Sequence, residues 1–170
     1  MSKIAVFGSA FNPPTLGHKS VVDSLSHFDL VLLVPSISHA WGKKMIDYEL
    51  RCNMVELFIE DIGPRNFSLS RIEKEIQIGA ERVTTFDVLS AIQDLNKNAD
   101  ITFVVGPDNI LHFDSFHKAD TILRSWSVLS CPEKVDIRSS YIRRNLAANR
   151  SIDSLTTPSV SRYIMQHNCF

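Results

Sequence analysis

Lys3-Ile4-Ala5-Val6-Phe7 runs without a break into Gly8-Ser9-Ala10-Phe11-Asn12-Pro13-Pro14-Thr15-Leu16-Gly17-His18, and the reading of this stretch decides the fold. A short apolar run ending at a glycine is the pattern of a strand buried on both faces. The small residues and paired prolines that follow make a stiff turn, and a helix opens beyond them. Strand, tight turn and helix form the first half of a βαβ unit.

The same alternation continues outward. Gly17 to Phe28 reads as a helix with Val21, Val22 and Leu25 on one face, and Asp29 to Val34 as a second buried strand stopped by Pro35. Tyr48 to Ile62 carries Met54, Leu57, Phe58 and Ile62 at helical spacing, with Gly63-Pro64 as its end. Phe67 to Leu69 is a short strand, Thr84 to Leu95 a helix, Ile101 to Val105 a buried strand ending at Gly106, Trp126 to Leu129 a further strand with Trp126 in the core, and Ser139 to Ala148 a helix. Thr157-Pro158 opens the last helix, with Thr as N-cap and Pro at its first position. Short apolar strands between amphipathic helices predict a parallel sheet covered on both faces. The expectation is a single doubly wound, Rossmann-like α/β domain over residues 1–170 with a small helical C-terminal end. Ligands in such sheets bind beyond the carboxyl ends of the strands, at the switch in strand order. The loops after Phe7, Val34, Val105 and Leu129 are therefore where a site belongs.

Composition narrows the function classes. With 170 residues, 44% hydrophobic and 22% charged, the chain can bury a core without disulfide or metal staples. Eighteen Lys plus Arg against 19 Asp plus Glu give a net charge of -1, which speaks against a protein that coats nucleic acid or an anionic membrane. Cys52, Cys131 and Cys169 are odd in number and far apart, so neither a disulfide framework nor a zinc ribbon fits, and reduced thiols in the cytoplasm are expected. No signal-peptide pattern stands at the start, and the apolar run Leu30 to Pro35 is too short to span a bilayer.

The loop after the first strand lacks both the G-x-G-x-x-G spacing of a dinucleotide fingerprint and the Gly-Lys-Ser/Thr of a P-loop. Thr15 and His18 are three apart, which sets a hydroxyl and an imidazole on one face of a helix start. Free backbone N–H groups there attract phosphate. A plain helix cap with a surface histidine is the competing reading at this point. His39, His112 and His117 show no metal-ligand spacing and read as loop or surface residues, His39 lying in the loop after the second strand.

G-S-x-F-N-P-P-T-x-G-H resembles the (H/T)-x-G-H signature of the nucleotidylyltransferase superfamily, and Ile137 to Arg143 resembles its second signature, I-S-S-T-x-I-R. The loop Pro35 to Lys44, followed by Arg51 and Met54, resembles the substrate loop and R-x-x-M helix of the nicotinamide and nicotinate mononucleotide adenylyltransferases. Thr85 with Leu89, Gly106-Pro107-Asp108-Asn109, and Pro158 to Ile164 are similar to further segments of the same enzymes, so the resemblance covers nearly the whole chain. It implies transfer of AMP from ATP to a pyridine mononucleotide with release of pyrophosphate, in NAD biosynthesis.

The resemblance also implies residue roles. Gly8, Ser9, Ala10, Phe11, His18, Gly106, Asp108, Ser139, Ser140 and Arg143 would bind ATP. His18, with Thr15 beside it, would bond the α-phosphate, while Ser139, Ser140 and Arg143 hold the β- and γ-phosphates. Asn12, Trp41, Lys43, Lys44, Thr85 and Phe116 would line the acceptor site, with Lys44 or Lys43 on the mononucleotide phosphate. Thr15, His18, Lys44 and Arg143 form the implied catalytic set. Lys134 to Arg150 carries a local charge of +4, which suits a polyphosphate or a solvated helix face. Magnesium is implied as the companion of ATP, held by phosphate and water, with no protein metal cage.

Departures from the family pattern bear on substrate. Arg138 replaces the first Ser of I-S-S-T and Ser140 the Thr, while Ile72 and Phe116 stand where relatives stack tryptophans on the pyridine ring. Thr84-Thr85 replaces the Tyr-Thr of bacterial acid-specific enzymes, and Lys43-Lys44 resembles the amide-accepting ones, so both acceptors stay open. Pantetheine-phosphate adenylyltransferase shares both signatures but lacks the Lys-Lys loop and the Pro158 to Ile164 ending. A nucleotide sensor without turnover and a nucleic-acid module are the remaining readings, the last opposed by the charge balance. The Pro35 to Asp47 loop, with Gly42 in it, is expected to close over substrate. A homo-oligomer is left open.

Overall fold

A computed structural model describes residues 1–38, 42, 44–63, 66–77 and 82–170. Its centre is a five-stranded sheet of β1 (Lys3–Ser9), β2 (Leu30–Pro35), β3 (Phe67–Leu69), β4 (Asp100–Val105) and β5 (Ser127–Ser130) in the order β3-β2-β1-β4-β5. Every pairing is parallel, with Val6 opposite Leu32 on one side and Phe103 on the other. β1 is thus flanked by the two strands from which the chain winds in opposite directions, and the switch in strand order lies between β1 and β4.

Alternation along β1 builds two cores. Ala5 and Phe7 face a layer with Val31, Leu33, Met54, Val55, Phe58, Ile142 and Ile164. Ile4 and Val6 face the opposite layer with Val88, Leu89, Ile92, Ile101, Phe103 and Ile122. Each fully buried aliphatic or phenyl side chain contributes about 1.5–3 kcal/mol, so the doubly covered sheet is the main source of stability. The first layer is built on α1 (Leu16–Val22), α2 (Tyr48–Ile62), α7 (Ser139–Ala147) and α8 (Pro158–His167); the second on α3 (Ile72–Gln77), α4 (Thr85–Leu95) and α6 (Ala119–Ser125). A short α5 (Pro107–Leu111) follows β4 directly.

Four local outcomes differ from the sequence reading. The first helix ends at Val22 and tightens into a 3₁₀ turn over Asp23–Leu25 instead of running to Phe28. Ser24 turns its hydroxyl onto the Ser20 carbonyl at 3.5 Å, a local competitor of helical bonding. α3, α5 and α6 have no counterpart in the sequence reading, because each is only five to seven residues long. Trp126 precedes β5 and is half-buried, with its indole N–H donating to Gln93 Oε1 at 3.1 Å. Thr157 occupies the N-cap of α8 and Pro158 its first position, but no Thr157 side-chain bond caps the helix, and the Ser159 N–H is taken by Asp61.

Candidate active site

The loop leaving β1 is held in one unusual shape. Phe11 has a left-handed backbone (φ 48) although it is not glycine, a conformation that persists only where surroundings enforce it. Its side chain is fully buried, with the ring edge-on to Phe7 at 5.7 Å and 4.8 Å from the His18 ring. Phe11 therefore acts as a wedge beneath the imidazole rather than as a group open to solvent.

α1 begins in a capping box. The Thr15 hydroxyl accepts from the N–H groups of Gly17 (3.0 Å) and His18 (3.3 Å), and the Thr15 N–H donates to His18 Nδ1 at 2.9 Å. A backbone N–H can only donate, so Nδ1 is the acceptor and the proton of the neutral ring sits on Nε2. Nε2 lies 3.0 Å from Ser9 Oγ and donates to it. Burial pushes the imidazole down to about 4, so it is neutral at physiological pH. The result is an oriented, uncharged N–H donor at the carboxyl end of β1.

The second motif docks onto this one. Thr15 Oγ1 donates to the Ile137 carbonyl at 3.0 Å, Ser139 Oγ to the Pro13 carbonyl at 2.7 Å, and Arg143 Nη1 to the Asn12 carbonyl at 2.7 Å. Gly17 explains the closeness: a Cβ there would stand 2.3 Å from the Ile137 carbonyl oxygen. Ser140 is half-buried in the first turn of α7 beside Ser139. Thr15, His18, Ser139, Ser140 and Arg143 thus gather around one loop.

On the β4 side, Gly106 caps α5 and a Cβ there would meet nothing within 4 Å, so packing does not demand glycine at that position. Gly8 is similar, with ordinary contact at 3.8 Å. Both leave room for close approach of a ligand to backbone. Asp108, two residues on, pairs with Arg138, whose two Nη atoms donate to Asp108 Oδ2 at 3.2 Å each. The side chains are 49% and 67% exposed, so this pair is a screened rim feature.

Acceptor-side candidates are less gathered. Asn12 is buried and its Oδ1 accepts from the Ile46 N–H at 3.3 Å, tying the first loop to the approach of α2. Lys44 is exposed, and Thr85 is half-buried in the first turn of α4. Phe116 stacks on Phe113 at 5.0 Å and meets Phe103 at 6.0 Å, committing its ring to the second core. Trp41, Lys43 and His39 lie outside the described residues.

Two residues outside the candidate set prove central. Arg51, 1% exposed on α2, donates to three carbonyls: Ala10 at 2.8 Å, Ser36 at 2.7 Å and Ile46 at 3.0 Å. Glu73 on α3 accepts from the Ile37 N–H at 2.7 Å, and burial pushes its carboxyl up to about 7 against the opposing pull of that N–H and of the Arg51 charge. The sequence carried a signal for Arg51, which shares the helical face of Met54, Val55 and Phe58.

Among the described residues no three His, Cys, Asp or Glu side chains converge as a metal site. The His18 ring presents its Nε2–H, with Nδ1 taken by the Thr15 N–H, and beside it stand hydroxyls and a guanidinium, a donor set suited to an anion. All three cysteines are free and buried, and among the described residues no helix is long and apolar enough to cross a membrane.

Comparison with known proteins follows the same lines. A family model described as cytidylyltransferase-like matches residues 6–145. A crystal structure from Vibrio parahaemolyticus, titled for a "Putative Nicotinate-nucleotide Adenylyltransferase", is 48% identical with a TM-score of 0.90, covering 99% of this chain and 95% of that one. A protein of Acholeplasma laidlawii named "Probable nicotinate-nucleotide adenylyltransferase" is 28% identical over 98% of this chain and 97% of its own. At 20% identity, the Plasmodium falciparum nicotinic acid mononucleotide adenylyltransferase solved with NaAD shares the fold, with a TM-score of 0.80 over 99% of this chain and 97% of that one.

Proposed function

The chain belongs to the cytidylyltransferase-like family, in its nicotinate-nucleotide adenylyltransferase branch, and from that premise we propose how its residues carry out adenylyl transfer and which acceptor they take. It is a nucleotidyltransferase of NAD biosynthesis. The acceptor is nicotinate mononucleotide, a choice supported by the names of its relatives. The observation that carries the mechanism is the docking of the second motif on the first through Thr15–Ile137, Ser139–Pro13 and Arg143–Asn12. It collects hydroxyl, imidazole and guanidinium donors at the switch point of the sheet, where a triphosphate can lie.

A 5′-phosphate oxygen of the mononucleotide attacks the α-phosphorus of ATP in line. The new P–O bond forms as the bond to the β-phosphate breaks, giving nicotinate adenine dinucleotide and pyrophosphate. Such a step asks the protein for positioning and charge stabilisation. His18 supplies a neutral Nε2–H whose resting partner, Ser9 Oγ, a phosphate oxygen replaces. Its low pKa keeps the ring neutral, and the N–H of a neutral imidazole donates a hydrogen bond without transferring its proton. A donor aimed at developing charge is worth about 3 kcal/mol, or about a hundredfold to a thousandfold in rate. Arg143 uses the rest of its fork, with the Ser140 hydroxyl, on the β- and γ-phosphates, while Ser139, whose one O–H is given to the Pro13 carbonyl, holds the start of α7 against the first loop. Gly8, Ser9, Ala10, Gly106 and Asp108 line the nucleoside side, while Asn12, Lys44 and Thr85 serve the acceptor. Magnesium would supply charge neutralisation to the triphosphate and would be carried by the phosphates, since the side chains at this floor are anion donors. Residues 1–170 act as one catalytic domain, supported by relatives matched over their full length, and buried free thiols fit a cytoplasmic setting.

A pyrophosphate-release assay with ATP and magnesium, run with nicotinate mononucleotide, nicotinamide mononucleotide and 4′-phosphopantetheine, tests the reading. The highest kcat/KM is expected with nicotinate mononucleotide. A preference for the amide would overturn the acceptor, and turnover with phosphopantetheine alone would overturn the branch.

A further inference from the structure

Two loops of the molecule, the one after β1 and both ends of the one between β2 and α2, meet on one buried guanidinium. Arg51 takes the Ala10 carbonyl from the loop after β1, the Ser36 carbonyl from the loop after β2, and the Ile46 carbonyl from the approach to α2. Asn12 ties the same Ile46 through its N–H. The Ser36 carbonyl and the Ile37 N–H belong to one peptide group, and Glu73 takes that N–H from the opposite side at 2.7 Å. A single peptide plane is gripped at oxygen by a cation and at nitrogen by a carboxylate. Water could satisfy an N–H at a strand end. Holding it instead with a half-buried carboxylate works against desolvation, and groups kept under such conditions cluster where geometry has to be fixed.

Position in the sheet says which ligand this clamp serves. β4, with Gly106 and Asp108, lies on one side of β1 and β2 on the other. The nucleoside of ATP is read on the β4 side under the proposed function, so the loop that leaves β2 and leads to Lys44 borders the acceptor. Arg51 joins that loop to Ala10, and Asn12 joins its far end to the β1 loop.

We propose that Glu73 is a positioning residue for the acceptor mononucleotide: with Arg51 it locks the Ser36–Ile37 peptide against the Ala10–Asn12 wall, setting the acceptor phosphate in line with the α-phosphorus. This rests on the adenylyltransferase reading, and the experiment separates the two. Glu73→Ala, Glu73→Gln and, as a control on the same helix, the exposed Glu75→Ala are compared with the parent by steady-state kinetics. Glu73→Ala raises the KM for nicotinate mononucleotide about fivefold to tenfold, while kcat and the KM for ATP stay within about twofold. Glu73→Gln keeps an acceptor oxygen for the Ile37 N–H and returns the acceptor KM to within about twofold of the parent. Should Glu73→Ala fail to fold, Glu73→Asp, which withdraws the carboxylate by one methylene, carries the same expectation. An unchanged acceptor KM, an equal rise in both KM values, or a Gln variant as impaired as Ala would overturn the proposal. Hydrogen exchange at the Ile37 amide judges the clamp without turnover: exchange speeds up in Glu73→Ala, and an unchanged rate overturns it. A parent enzyme silent with every pyridine nucleotide would instead strike the functional reading.

Discussion

The floor of the candidate site and its rim carry polar residues of the same kinds but hold them in opposite ways. At the floor, Thr15, Arg51, Ser139 and Arg143 are fixed by bonds to backbone atoms of distant segments, and His18 by the Thr15 N–H of its own capping box. At the rim, Arg138 shares itself among Asp108, Glu133 and Asp136 at 3.2, 3.4 and 3.9 Å, all on exposed side chains. Backbone partners cannot swing away, so floor donors are preorganised before substrate arrives. Rim partners are mobile charges screened by salt, each pair worth about 1 kcal/mol or less. The contrast assigns chemistry to the floor and tuning of affinity to the rim.

The hardest way to break it is Gly17→Ala. A Cβ 2.3 Å from the Ile137 carbonyl pushes the two motifs apart. Overpacking against backbone costs about 3 kcal/mol, about 6–12 °C in Tm for a chain of this size, and turnover falls with it. Calorimetry and the pyrophosphate assay check both; a variant that melts and turns over like the parent would show that the docking is not tight.

Acidity is the next test, because His18 at the floor and Glu73 behind the β2 loop pull in opposite directions. His18, lowered from 6.5 to about 4, favours the folded state above its unfolded pKa, and that advantage is lost as pH falls from 6.5 toward 4. Glu73, raised from 4.5 to about 7, takes a proton more readily when folded, so it favours folding as pH falls from 7 to 4.5. Melting of the parent is therefore flattened between pH 6.5 and 5 by compensation, while Glu73→Gln loses Tm there more steeply. Equal slopes would contradict the assignment.

Smaller effects follow. Ser139→Ala removes one bond between the motifs and costs about 1 kcal/mol, about 2–4 °C in Tm. Arg138→Ser, which restores the first Ser of the I-S-S-T pattern, changes Tm by less than about 2 °C and the KM for ATP by less than about tenfold. It also weakens the salt dependence of that KM. A large loss of kcat in Arg138→Ser would move chemistry to the rim.

Legibility in the sequence divides along the same line. The doubly wound order could be read because Ala5, Phe7, Ile4 and Val6 are apolar on both faces of β1, a pattern only a doubly covered strand needs. Thr15, His18, Ser139 and Arg143 are visible as motif letters because they lie in two short segments, the loop after β1 and the start of α7. Arg51 and Glu73 escaped the candidate set because a charged residue on a helix reads as surface, and what buries them are loops far away in sequence. Phe116 is legible as an aromatic, while its packing on Phe113 is not. α3, α5 and α6 fill gaps between long elements, and helices of five to seven residues carry too few apolar positions to show a period.

The central claim is that the neutral His18 N–H at the floor stabilises the transferring phosphate. Its most direct test is His18→Ala in the pyrophosphate assay, measured beside Arg138→Ser at saturating ATP and nicotinate mononucleotide. The account predicts a kcat lower by about a hundredfold to a thousandfold for His18→Ala with the KM for ATP little changed. A His18→Ala enzyme whose kcat stays within about threefold of the parent would contradict it.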